Sequence, residues 1–512
     1  MALEMVGAFP RGRDDRSAFT GGPCTMAAWT HRTLDFTPDG TQPFTAGAFT
    51  VALDGYVANA PALRRDLEEE GKVVFRGHGD AELIAQGAKT WGLNRLLQKL
   101  EGAFTFVLWD SDNTALHLVR DRMGARPLYV TLHDEIMAFA SDYRAFRPLP
   151  GFTPVLDTQA MRAVLAHGHI PAPYSPWKGV FAVPPGHRLM IGAQDMALNP
   201  TEAWWSPAVA IEESALRSHS DTMHRDRLFA ALSAEALRLD VSFTLLDDLS
   251  PASSQLRSNL DRASGKSYTA IPVSQPDGIA LQMAYDSLSR LPEPVTDPMA
   301  PSWYLSCKNA AKESPVCLVA TGLEIPVQEE AKHRRLRRAL SCIRFLHPLL
   351  PARYRALTRS AESIYMESIR LWALDAPQPD VIEPRVDISP DQRLAFWAFA
   401  DGFRHGFMPA MDRISHAAGV EIRMPWADAR LMDCGLPCPT GAGNPDIATW
   451  LRGPLRPRVS DQMKAASIQR LGLEDPAPYL NAWQDFLNGD NTHTRPLWAL
   501  AVLLGWAAHN EG

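Results

Sequence analysis

The chain has 512 residues, 46% of them hydrophobic and 21% charged, with a formal net charge of −7. This length suits two large domains or three small ones with a sizeable buried core. The acidic balance gives no general reason to expect a nucleic-acid partner, and the longest apolar runs, such as 497–507, are too short to span a bilayer. Arg11, Arg13, Asp14 and Asp15 stand near the N-terminus without an apolar run of secretory type, so the cytosol is the default location. The six cysteines are scattered, and only Cys434 and Cys438 lie close together. No second pair completes a zinc site, so the thiols are expected to be reduced and no metal site is expected.

Residues 45–205 alternate between strand and helix patterns. GAFTVAL at 47–53 alternates like a strand, and PALRRDLEEEG at 61–71 has helical spacing with a glycine stop. AELIAQGAKTWGLNRLLQKLEG at 81–102 reads as one longer amphipathic helix. AFTFVLWD at 103–110 and ALHLVRD at 115–121 read as a hairpin around Ser111, Asp112 and Asn113. This density of strands predicts a layered α/β/β/α sandwich. A polar stretch at 206–225 follows, then a helix at 226–238 and an apolar strand at 241–246. Helical patterns dominate from there, which predicts a parallel-sheet nucleotide-binding domain with a helical C-terminal layer. The basic run KHRRLRRAL at 332–340 reads as a solvated helix face.

Several motifs in the first part resemble the class II glutamine amidotransferase domain of asparagine synthetases. They are Leu100-Glu101-Gly102-Ala103-Phe104 with Trp109-Asp110, Arg120-Asp121-Arg122-Met123-Gly124 with Arg126-Pro127-Leu128-Tyr129, Phe139-Ala140-Ser141-Asp142, Pro184-Pro185-Gly186-His187, and Trp204-Trp205. The family's chemistry needs a cysteine directly after the initiator methionine, its thiolate attacking the glutamine amide with the α-amino group as base. This chain begins Met1-Ala2-Leu3, and Cys24 lies too close to Arg32 to serve. The resemblance assigns Arg32 to a substrate carboxylate and Asp80 to a substrate ammonium. Gly55 matches the family's glycine, but Asp54 replaces the asparagine that would stabilise an oxyanion.

DVSFTLLDDLSPASS at 240–254 resembles the family's DVPVGxLLSGGxDSS, which opens the synthetase domain. Asp240, Val241, Leu245, Leu246, Ser253 and Ser254 match. Asp248, Leu249, Ser250, Pro251 and Ala252 stand where the family has its phosphate-cradling glycines and a Mg²⁺-binding aspartate. Leu318–Pro326 occupies the place of a second metal loop, where Thr321 and Gly322 survive and Pro326 replaces the aspartate. The stretch between Cys438 and Trp450 is shortened and lacks the family's lysine. Other motifs persist: Glu293-Pro294 with Asp297-Pro298, Asp412-Arg413, Glu421-Ile422-Arg423-Met424-Pro425, Trp450-Leu451-Arg452-Gly453 and Arg495-Pro496-Leu497-Trp498.

The resemblance therefore implies residues 1–205 as an amidotransferase-like domain without its nucleophile, and 206–512 as an asparagine synthase-like ATP-pyrophosphatase domain with a degenerate phosphate loop. Arg32, Gly55 and Asp80 would be remnants of a substrate site. Leu246, Ser253, Ser254, Thr321 and Gly322 would be remnants of a nucleotide site. Intact relatives use ATP and Mg²⁺, and neither is expected as a cofactor here. The expected role is a pseudoenzyme acting through a protein partner or as a homodimer, with a peptide or amino-acid substrate, no nucleic acid and no membrane. The competing reading is a divergent ATP-dependent amide ligase, similar in architecture to beta-lactam synthetases and lasso-peptide cyclases.

Overall fold

The computed structural model describes residues 1–7, 14–30, 35, 40–192, 200–217, 243–249, 251–263, 268–319, 360–388, 390–430 and 445–510. The N-terminal part is built on antiparallel strands: β1 (Asp15–Gly21), β2 (Cys24–Thr30), β3 (Phe44–Ala46), β4 (Phe49–Val57), β5 (Gly102–Asp110), β6 (Ala115–Arg120), β7 (Tyr129–His133), β8 (Ile136–Ala140), β9 (Val180–Ala182), β10 (His187–Gly192) and β11 (Glu202–Ala203). Six form one sheet in the order β11-β10-β6-β5-β4-β3. A second sheet has the order β8-β7-β9, and β1 pairs with β2 as a separate hairpin.

Alternation along the strands builds the layers. Phe104, Phe106 and Leu108 of β5 face the helices Ala60–Gly71 and Asp80–Trp91. Val107 and Trp109, on the opposite face, meet Leu128, just before β7, and Val130 of β7. Tyr129, between those two, turns away into a core shared with the helix Thr158–His167 and with C-terminal helices, including Thr494–Asn510. Burial on both faces explains why β5 reads as nearly continuous apolar residues. The single helix expected over 81–102 is two helices, Asp80–Trp91 and Leu93–Lys99. Gly92 separates them at φ +77°, a conformation that ends a right-handed helix, and Gly102 already belongs to β5.

The later part contains a parallel sheet of β12 (Phe243–Asp247), β13 (Tyr268–Pro272), β14 (Val316–Val319) and β15 (Glu421–Arg423), ordered β13-β12-β14-β15. The strand expected at 241–246 is thus observed from Phe243. The helix expected at 226–238 and the basic run at 332–340 lie outside the described residues. Helices form the C-terminal layer, where the buried indoles of Trp498 and Trp506 donate to Thr296 O and Leu291 O, each at 2.9 Å. Among the described residues no helix is long and apolar enough to cross a membrane.

A ten-residue π-helix, Ala398–Phe407, joins the two parts. Such helices are rare and gather at functional or structural junctions. Arg404 donates to Arg122 O at 2.9 Å and Pro185 O at 2.8 Å, and burial pulls its pKa down to about 9. Asp401, fully buried, meets His169 Nε2 at 2.7 Å and accepts from the Tyr365 hydroxyl at 2.9 Å. Burial opposes both charges of this pair, yet Asp401 raises the His169 pKa and His169 lowers that of Asp401.

The pair sets a pH dependence. Stability from the raised His169 pKa is full below its unfolded value of about 6.5 and is lost as pH rises through the folded value. Stability from the depressed Asp401 pKa is present above about 3.9 and is lost as pH falls through its folded value. Burial holds the neighbouring His167 and His405 down to about 4 and about 3, so both are neutral from about pH 6 upward. His169→Gln should destabilise the chain by about 3 kcal/mol near pH 6, as expected when a buried pair loses one member. Thermal melts from about pH 6 to about pH 9 should show the gap to the native chain narrowing. A gap that widens with pH would contradict the pairing.

Candidate functional site

The head of the parallel sheet carries the residues that the resemblance assigns to a nucleotide. β12 is buried along its whole length, and Leu246 lies between Ile271 and Val319 in parallel register. Leu246 is therefore a core residue. From Asp247, the last residue of β12, the chain passes through Asp248 and Leu249 toward the helix Pro251–Ala263. Unpaired backbone N–H groups and the helix dipole make such a helix start attractive to anions. Here two carboxylates stand beside it. Asp247 accepts from the Leu249 amide at 2.9 Å and pairs with Arg257. Ser253, fully buried, donates its hydroxyl to Asp248 at 2.5 Å. A phosphate charge brought within about 4 Å of a carboxylate meets roughly 1 to 4 kcal/mol of repulsion, depending on exposure. Ser254 is exposed, and Thr321 and Gly322 lie outside the described residues.

Leu249 keeps a left-handed backbone, φ +61°, with its side chain 79% exposed. A β-carbon is strained there, and glycine, the residue of the resembled family, is not.

The second candidate cluster is on β4. Gly55 has φ +113°, and a β-carbon there would lie 2.1 Å from Ala103 O. Close approach of β5 alone requires this glycine. Asp54 sits opposite Thr105 in the same ladder. Asp80 begins the helix Asp80–Trp91, is buried, and accepts from the Val57 amide at 2.8 Å. The structure thus brings Asp80 to β4, two residues from Gly55, but turns its carboxylate onto backbone. Arg32 lies outside the described residues. Cys24 is buried in β2, and burial pushes its thiol up to about 11, opposite to what a nucleophile needs.

Other sequence motifs meet between the two parts. Arg126 Nη1 lies 2.6 Å from Asp412 Oδ1 and 3.2 Å from His416 Nε2. Burial works against its charge, but Asp412, with Asp54 and Glu421 behind it, holds the Arg126 pKa above the usual range. Arg413 reaches Glu293 at 2.7 Å and donates to the Tyr129 hydroxyl at 3.1 Å, while Tyr129 donates to Glu293. Arg423, almost fully buried, stacks over Tyr56 at 4.2 Å. Asp121, fully buried, accepts from the amides of Met123, Ala125 and Arg126 at 2.9 to 3.1 Å. Next to this web is a cavity of about 460 Å³, bounded by the N-terminal helix Ala2–Gly7, β2, β4, β5, β8 and residues 419–421 at the start of β15. Neither the cavity nor the His169–Asp401 pair has a local signal in the sequence, because both depend on segments hundreds of positions apart.

Comparison with known proteins bears on the first part of the chain. A family model described as a glutamine amidotransferase domain matches residues 4–205. A Mycobacterium tuberculosis protein named "Putative asparagine synthetase (glutamine-hydrolyzing)" is 28% identical over 221 residues, covering 42% of this chain and 33% of its own length. Asparagine synthetase (glutamine-hydrolyzing) 3 of Bacillus subtilis is 25% identical over 155 residues, covering 29% and 25%. The first 205 residues of this chain are thus similar to the glutamine amidotransferase domain of asparagine synthetases. The match spans about a third or less of those relatives' own length. A solved B. subtilis glutamine phosphoribosylpyrophosphate amidotransferase, with ADP and GMP, is similar at 16% identity and a TM-score of 0.27, covering 59% of this chain and 68% of that one. Within the described residues, no three His, Cys, Asp or Glu side chains gather as a metal-binding set.

The strained loop supplies a direct test. Leu249→Gly should relieve left-handed strain and raise stability by about 1 kcal/mol after its greater unfolded-state entropy is deducted. Leu249→Ala keeps a β-carbon and should gain nothing. Urea unfolding of the two variants compares them, and equal midpoints would remove the strain argument.

Proposed function

We propose that this chain is a member of the asparagine synthetase family that has lost amide-forming chemistry and acts by binding, as a partner of itself or of an active amide-forming enzyme. The observation that carries this reading is the occupied loop. Asp247 and Asp248 bring negative charge to the helix start where an ATP-using relative receives phosphate, and Ser253 is committed to Asp248. Three further features support it. Cys24 is a buried thiol with a raised pKa. Asp54 puts a carboxylate where an oxyanion would need a donor. Asp80 is engaged by backbone. Gly55, Asp80, Leu246 and Ser253 then persist because they pack, while Arg32, Ser254, Thr321 and Gly322 are remnants of the two sites. The sequence boundary near 205, with the amidotransferase-like and synthase-like parts on either side, fits the same reading.

Family motifs that survive here hold the two parts together, as Arg126–Asp412 and Tyr129–Glu293–Arg413 do. Retention of those contacts supports selection for a folded body. A stable partner interface would bury at least about 1,000 Å². The natural setting is a natural-product pathway in which a neighbouring synthetase or cyclase forms the amide.

Purified chain should release no glutamate from glutamine above a heat-killed control, since loss of a single oxyanion donor already costs roughly 100- to 1,000-fold. Calorimetry should detect no Mg²⁺-dependent ATP binding in the micromolar range, and aspartate with ATP should yield no AMP or pyrophosphate. Micromolar ATP binding that requires Mg²⁺ would sink the proposal in favour of an active amide ligase. Co-purification from the native host, followed by mass spectrometry, tests the partner. A strictly monomeric chain, whose deletion alters no amide-forming pathway, would leave the binding role without support.

A further inference from the structure

A second cavity, of about 250 Å³, is lined by the Ser141–Arg144 stretch of the first part, by the end of the helix Gly278–Leu288 with the residues after it, and by the helix Met408–Ala418. Asp54, Gly55 and Asp80 take no part in its wall. Three arginines line it, with different commitments. Arg144 is held on Asp142 by contacts of 2.5 to 3.1 Å. Arg413, its side chain only 9% exposed, reaches Glu293 and Tyr129 through Nη2, at 2.7 and 3.1 Å, and its buried Nε has no acceptor. Arg290 is exposed and pairs with no carboxylate among the described residues. Asp142 and Asp412 also line the space, but Arg144 and Arg126 already pair with them. Pro127, Leu291, Pro292 and the ring of Tyr304 add apolar surface.

We propose that this cavity binds a small monocarboxylate with an apolar body, its carboxylate drawn to Arg290 and Arg413. An uncompensated cation and a buried donor without an acceptor both call for an anionic oxygen. The planar fork of a guanidinium matches the two oxygens of a carboxylate. Arg290 leaves one positive charge on the wall unanswered, which suits a single negative charge. A phosphate, carrying more charge, would meet repulsion from Asp142 and Asp412. The apolar body has Pro127, Leu291 and the ring of Tyr304 to pack on. Because Arg290 and Ser141–Arg144 come from different parts of the chain, a bound ligand touches both parts at once. Binding then stabilises their association, as for any ligand that prefers the assembled state. This site goes beyond the non-catalytic reading and does not depend on it.

Benzoate is a suitable probe, with benzamide as its uncharged counterpart. Saturation-transfer NMR on the full chain at constant ionic strength should show benzoate binding with a dissociation constant of about 1 mM or tighter, and benzamide at least about tenfold weaker. Arg290→Glu reverses the unpaired charge at an exposed position and should weaken benzoate binding at least about tenfold, with unchanged circular dichroism. Ala417→Trp, also at an exposed position, fills the cavity from the helix Met408–Ala418 and should do the same. If Arg290→Glu does not fold, Ala417→Trp decides. Absence of transfer to benzoate, equal binding of benzamide, or native affinity in the folded variants overturns the proposal. Inorganic phosphate that displaces benzoate at equal concentration overturns it as well. Glutamine hydrolysis or ATP binding would defeat the non-catalytic reading without touching the benzoate result, so the two can fail separately.

Discussion

A guanidinium enclosed between two bodies of protein must be paired, and this requirement organises the molecule. Arg126 leaves the N-terminal sandwich and meets Asp412 of a helix 286 positions later. Arg413, the next residue, reaches Glu293 beside Tyr129. Removing one partner of a buried ion pair typically costs about 3 to 5 kcal/mol, a large share of the roughly 5 to 15 kcal/mol by which domains are stable. The web therefore resists change at each member. The same cost applies where Arg404 of the π-helix fills two carbonyls of the sandwich, because a buried donor without an acceptor is penalised.

A loop that serves a ligand is under no such protection. A phosphate loop stabilises its ligand more than its own fold, so replacement of its glycines leaves the strand and helix on either side intact. β12 remains fully buried between β13 and β14. The helix Pro251–Ala263 still begins where the resembled loop would hand over to a helix. Even the left-handed backbone survives at Leu249, although the residue there is unsuited to it. New side chains have settled into local bonds, Ser253 with Asp248 and Arg257 with Asp247. The stretch between β12 and the helix Pro251–Ala263 is a self-contained polar turn.

Gly55 shows how packing and chemistry can be confused. Its match to the amidotransferase pattern suggested a remnant of substrate binding. The backbone of β5 approaches so closely that no β-carbon fits, which is reason enough for glycine. Asp80 is similar, since its carboxylate serves the Val57 amide whether or not an ammonium group was ever held there.

Local pattern determined a good deal. Period-two alternation in β5 and β6, helical spacing after Pro61, and the ordered series of motifs were enough to establish an α/β sandwich followed by a parallel sheet and helices. The departures of 248–252 from the resembled loop were also legible, because they are differences of residue type alone. A helix boundary at Gly92 was not, since helical periodicity runs through it and only the positive φ reveals the break. Tertiary structure alone decided where the charges went. His169 with Asp401, Arg126 with Asp412, and the cavity walled by β8 and residues 419–421 join segments that share no local signal. A long-range contact has no period in the sequence; it exists only once the layers are stacked and burial forces each polar group to find a partner.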